Sequence, residues 1–102
     1  MAHGLIIDDD RLVCDMLSNI VQDMGHSATC SHTLSGGLRE AETQKYDLVL
    51  LDVGLPDGNG LDGMRQIQKA ELAPPIIIIT AAGDQNGAEL AIRNGAWDYI
   101  EK

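Results

Sequence analysis

The chain of 102 residues is long enough for one domain and too short for two. Hydrophobic residues make up 44% of it and charged residues 23%, an ordinary globular balance, while seven Lys and Arg against sixteen Asp and Glu leave a net charge of -9. That charge excludes a surface built to displace counterions from nucleic acid, and two cysteines exclude a disulfide scaffold or a metal knuckle.

The start, MAHGLIIDDD, runs into acids too soon for a secretory signal, and the longest aliphatic run, at 76–79, is far too short to span a bilayer. A reduced, cytoplasmic setting is expected, with no membrane contact. Residues 5–7 are aliphatic and end in acids, which predicts a buried strand with its carboxyl end at Asp8. From there Leu12, Val13, Met16, Leu17, Ile20, Val21 and Met24 recur at three- and four-residue steps. They predict an amphipathic helix, capped by one of the acids and ended near Gly25, with Cys14 as a small buried thiol. Residues 27–31 predict a weaker strand, and Leu34, Leu38 and Ala41 a shorter helix beginning near Thr33 or Ser35.

Residues 48–51 form a second aliphatic run that ends at Asp52; without polar alternation, it should be buried on both faces. GLPDGNG at 54–60 is turn chemistry. Leu61, Met64 and Ile67 predict a third helix, which Pro74 and Pro75 prevent from continuing. Residues 76–79 are the clearest strand, followed by Thr80; a helix over 84–94 with Gly95 behind it comes next. Residues 97–100 predict a last strand, with Trp97 filling space at the end of the sheet, and Lys102 follows.

Strand and helix alternate four times before the fifth strand, which predicts an α/β fold: a doubly wound, five-stranded parallel sheet with right-handed crossovers. In such a sheet functional groups gather beyond the carboxyl ends of the strands, near the switch in strand order. Those ends carry Asp8, Asp9, Asp52, Thr80 and Lys102. Three carboxylates in one pocket repel one another unless a cation sits among them, and an all-oxygen set suits Mg2+. With a lysine and a hydroxyl to share developing charge, the set could support in-line transfer of a phosphoryl group onto the central carboxylate, Asp52. Taken singly, each residue has a plainer reading. Asp52 could satisfy a turn, Asp8 to Asp10 could cap a helix, Thr80 could serve a turn, and Lys102 could be a solvated end. His3, His26 and His32 have no metal spacing, and the loop at 54–60 lacks the lysine and hydroxyl of a P-loop.

Taken jointly, the sequence resembles the receiver domains of bacterial two-component response regulators, the CheY-like superfamily, over essentially its whole length. The resemblance is carried by IIDDD, by DVGLPDGNG with Asp52, Leu55, Pro56 and Gly60, by Thr80–Ala81, and by GAWDYIEK with Tyr99 and Lys102. It implies a flavodoxin-like sheet and a phosphoacceptor at Asp52, assisted by Thr80 and Lys102. Mg2+ would be held by Asp9, Asp52 and the carbonyl of Gly54, with Asp8 acting largely through a metal-bound water. Thr80 and Tyr99 would form the switch, Tyr99 turning inward on phosphorylation. The implied partner is a sensor histidine kinase or a phosphotransfer protein. The domain would be a regulator with slow self-dephosphorylation, not an enzyme, and would not itself bind nucleic acid.

The segment LLDVGLPDGNGLD resembles regulators of the NtrC type, and the expected output is transcription. A homodimer through the fourth helix and fifth strand is the family's usual arrangement. Receivers continue past the lysine into a fifth helix that is missing here. Residues 1–102 are therefore expected to be a C-terminally incomplete receiver, with any output domain outside the chain and part of the sheet face beside the first helix uncovered. Two other readings compete. A degenerate receiver used only for interaction need not keep all five residues. A Mg2+-dependent phosphatase would want a second acid two residues after its nucleophile, where this chain has Gly54.

Overall fold

Each aliphatic run becomes a strand and each stretch of helical periodicity a helix. The computed structural model describes residues 1–55, 57–70, 73–81 and 85–101. In chain order the elements are β1 (His3–Ile7), α1 (Arg11–Asp23), β2 (Ser27–Ser31), α2 (Leu34–Thr43), β3 (Leu48–Asp52), α3 (Gly60–Gln68), β4 (Ile76–Thr80), α4 (Gln85–Arg93) and β5 (Asp98–Glu101). The strands form one sheet in the order β2-β1-β3-β4-β5, and every pairing is parallel. The chain winds outward from β1 to β2, then crosses back so that β3 lies on the other side of β1. The switch point is therefore between β1 and β3, as in a flavodoxin-like sheet.

The central strands bury both faces, which is why they read as unbroken aliphatic runs. Leu5 and Ile7, Val49 and Leu51, and Ile76 and Ile78 face a core closed by Leu34 of α2, Met64 and Ile67 of α3, and Ala91 of α4. Their neighbours Ile6, Leu50 and Ile79 face a second core under Cys14 and Leu17 of α1, with Val13, Leu48 and Ile77 at its margin. Full burial of each such Leu or Ile contributes about 1.5–3 kcal/mol, so these two layers outweigh any single polar contact in holding the sheet. Among the described residues no helix is long and apolar enough to cross a membrane.

Local sequence sets the ends of the helices. Asp10 caps α1 by accepting from the Leu12 N–H at 3.0 Å, Thr33 caps α2 through the Gly36 N–H at 3.1 Å, and Asn59 caps α3 through the Leu61 N–H at 2.8 Å. Gly25 and Gly95 take φ values of 86° and 108°, the left-handed conformation that follows α1 and α4.

In α1 the line Leu12, Met16, Ile20 and Met24 is 50–79% exposed, while the line through Cys14 and Leu17 is buried against the sheet. One expectation is corrected: Trp97 does not fill space at the end of the sheet. It lies just before β5 and is 77% exposed; its backbone N–H donates to the Ile76 carbonyl at 2.9 Å, so the main chain holds its place while the indole stays outside. β5 itself is an exposed edge strand.

Cys14 is fully buried, and desolvation, reinforced by Cys30, pushes its thiol up to about 12. Almost no thiolate exists at neutral pH. A thiol reagent at pH 8 should leave Cys14 unlabelled in native protein and modify it fully once the chain is unfolded; peptide mapping of the labelled protein checks this.

Candidate functional site

β1 and β3 are adjacent and in register, Ile7 opposite Leu51, so the residues one step further, Asp8 and Asp52, emerge side by side at the switch point. Each then bends the chain in the same way. The Oδ1 of Asp8 accepts from the Asp10 N–H at 2.9 Å, and the Oδ1 of Asp52 accepts from the Gly54 N–H at 2.9 Å. These aspartate turns end the strands and aim the carboxylates into the crevice. The Asp8 backbone is tied down on two sides. Its N–H donates to the Ser31 carbonyl at 3.0 Å, and its carbonyl accepts from the Cys14 thiol at 3.3 Å, which links α1 to the site.

Asp8, Asp9 and Asp52 can each offer one carboxylate oxygen such that all three lie within 4.8 Å of one another. Asp8 and Asp52 are buried and Asp9 is exposed, so the cluster meets solvent at Asp9. Two unit charges no further apart than this repel by at least about 3.5 kcal/mol at an effective dielectric of about 20. An oxygen-only, strongly anionic donor set of this kind fits a hard divalent cation such as Mg2+.

Thr80 ends β4, the neighbour of β3. Asp52 is opposite Ile79, so Thr80 stands one residue further along the crevice. It is fully buried, and among the described residues its hydroxyl oxygen has no hydrogen-bond partner. Such an atom costs about 1–3 kcal/mol unless something arrives to satisfy it. Tyr99 on β5 is 43% exposed and lines a cleft with Ala88, Glu89, Ile92 and Arg93 of α4. Lys102 and Pro56 lie outside the described residues.

Sequence reasoning missed Asp57. It sits in the turn segment and reads there as turn chemistry. In the fold its two carboxylate oxygens accept from the N–H groups of Leu34 at 2.8 Å and Ser35 at 3.2 Å, the start of α2. These backbone donors hold its carboxyl below the usual aspartate range. The partner lies 23 residues away, so no local pattern could have disclosed it.

The strand order and the acid cluster at its switch point define a CheY-like α/β domain. The sequence places the chain further: it belongs to the response regulator receiver domain family, whose model matches residues 5–102. It is 34% identical over 102 residues to the KDP operon transcriptional regulatory protein KdpE of Escherichia coli, covering all of this chain and 45% of that protein. It is also 34% identical over 106 residues to the nitrogen assimilation regulatory protein NtrX of Azorhizobium caulinodans, covering all of this chain and 23% of that one. Among solved structures, NtrX from Brucella abortus in complex with ATP superposes with a TM-score of 0.92 at 31% identity, over 99% of this chain and 23% of that one. A CheY-like receiver domain protein from Methanospirillum hungatei gives 0.90 at 26% identity, over 100% and 82%. The chain thus spans less than half the length of these two curated relatives. It is a regulatory module of two-component signalling and not a stand-alone enzyme. The expected likeness to the NtrC type meets a relative named NtrX, while KdpE stands at the same identity.

Proposed function

We infer that the domain accepts a phosphoryl group on Asp52 from the phosphohistidine of a sensor kinase or phosphotransfer protein, and thereby switches a transcriptional output. The observation that carries this reading is the convergence of Asp8, Asp9 and Asp52 within 4.8 Å at the switch point. An oxygen of Asp52 attacks phosphorus, the P–O bond forms as the P–N bond breaks, and the imidazole leaves. Asp9, Asp52 and the Gly54 carbonyl would hold Mg2+, with Asp8 acting through a water; the ion supplies positive charge to the carboxylates and phosphoryl oxygens. The buried Thr80 hydroxyl donates to a phosphoryl oxygen, and Lys102 is assigned to another by family resemblance. Satisfying Thr80 favours the state in which Tyr99 turns inward beside α4, a shift of population rather than a new fold.

Residues 1–102 are read as the receiver part of a longer regulator. KdpE, a relative more than twice the length matched here, is by name a transcriptional regulator, which supports that output. The test is intact mass after incubation with acetyl phosphate. One phosphate added only when Mg2+ is present supports the reading, and none in a folded sample overturns it.

Gly54 gives the rim of the site no side-chain cover. A Cβ there would meet Asp52 Oδ1 at 3.6 Å, an ordinary contact, so the backbone leaves room for a side chain to start. Gly54→Asn should screen the phosphoryl group from water and lengthen its lifetime several-fold, read as the decay of the phosphorylated mass after donor removal. An unchanged lifetime would show that this rim does not govern hydrolysis.

A further inference from the structure

The loop between β3 and α3 holds Asp52 at one end and is closed on itself by weak bonds. The Gly58 N–H donates to the Leu55 carbonyl at 3.5 Å and the Gly60 N–H to the Val53 carbonyl at 3.4 Å. Neither bond is short enough to fix the loop alone. A polar contact of longer range reaches outward, where Asp57 at the apex grips the first two amides of α2 at 2.8 and 3.2 Å. The grip is well placed, because these amides carry the positive end of the helix dipole and are otherwise without helical partners. Packing reinforces it. Leu34, whose N–H Asp57 holds, is buried, and a Cβ on Gly58 or Gly63 would meet its methyl carbons at 2.7 and 2.6 Å. The start of α2 is thus clamped to the loop apex by one carboxylate and by one side chain pressed against two glycines.

We propose that Asp57 is a positioning residue for the phosphoacceptor loop: by gripping the N-terminus of α2 it holds the loop that leaves Asp52, and so the Gly54 amide and carbonyl at the metal site. This deepens the phosphoacceptor reading and rests on it. Asp57 touches neither the metal nor the phosphoryl group in this role; it acts through the backbone of the loop.

The test compares amide exchange by NMR in the metal-free full chain, and Mg2+ affinity by calorimetry, for wild type, Asp57→Ala and Asp57→Asn. Loss of a capping carboxylate raises local opening about fivefold. Asp57→Ala should therefore speed exchange at Leu34, Ser35 and also Gly54, whose N–H donates to Asp52, and should weaken Mg2+ binding several-fold. Asparagine keeps one of the two acceptor oxygens and loses the charge, so its partial recovery of both readouts separates the grip from simple electrostatics. Faster exchange confined to Leu34 and Ser35, with Gly54 and Mg2+ affinity unmoved, would reduce Asp57 to a local helix cap and overturn the proposal. A wild type that binds Mg2+ but takes no phosphate would sink the phosphoacceptor reading instead, while exchange at Gly54 would still decide the role of Asp57.

Discussion

Asp52→Asn is expected to take up no phosphate from acetyl phosphate under conditions that fully modify the wild type, while remaining folded and becoming more stable in metal-free buffer. The three effects share one geometric cause. The Oδ1 of Asp52 accepts from the Gly54 N–H at 2.9 Å, and the carbonyl oxygen of asparagine can keep that bond, so the turn that leaves β3 should survive. What disappears is the proposed nucleophile and one of three negative charges held within 4.8 Å. Relief of that repulsion, discounted for the exposure of Asp9, should return about 1 kcal/mol, or about 4–8 °C in Tm for a domain of this size. Mg2+ should then stabilise the wild type much more than the variant, because only binding to the folded state raises Tm. Thermal melts with Mg2+ and with EDTA, beside intact mass, provide the check. A variant that still acquired one phosphate would move the acceptor away from Asp52, whereas lower metal-free stability would mean that the carboxylate is needed for the turn itself.

The sheet was legible because its central strands β1, β3 and β4 are short and largely buried on both sides. Runs such as 48–51 and 76–79 have no polar alternation to blur, and each ends where polar residues begin. The acids at the strand ends were legible for the same reason, since a carboxylate directly after an aliphatic run must sit at the rim of the sheet. Periodicity was weaker at showing how wide a face the sheet would cover. α1 carries two neighbouring apolar lines, and spacing alone could not tell that the one through Leu17 is buried while the one through Met16 is exposed. Trp97 misled for a related reason: a large aromatic beside a strand suggests packing, yet β5 is an exposed edge strand and its register is set by main-chain bonds. Asp57 could not be read at all, because its partners are backbone groups brought near by the crossover between β2 and β3.

Gly60→Ala should be among the most damaging single-methyl changes to the site, although alanine normally favours a helix. A Cβ at Gly60, the first residue of α3, would lie 2.5 Å from the Val53 Cα and 2.7 Å from the Asp52 carbonyl oxygen. Both obstacles are backbone, so no rotamer change can make room, and either the start of α3 or the end of β3 must move. Overpacking of this kind costs about 1–3 kcal/mol, while the gain in helix propensity returns about 1 kcal/mol at most. The net loss should lower Tm, and the residue displaced is the proposed phosphoacceptor, so phosphate uptake should slow more than the fall in stability explains. Gly63→Ala supplies the contrast. Its Cβ would meet Leu34 Cδ1 at 2.6 Å, which is the end of a side chain and not backbone, so uptake should fall less than in Gly60→Ala. Melting curves and phosphorylation rates for the two variants decide the matter. Equal rates would mean that the loop, and not the seat of α3 on Val53, sets the position of Asp52; a Gly60→Ala slower than Gly63→Ala would show that α3 reaches the site through the backbone at Asp52 and Val53.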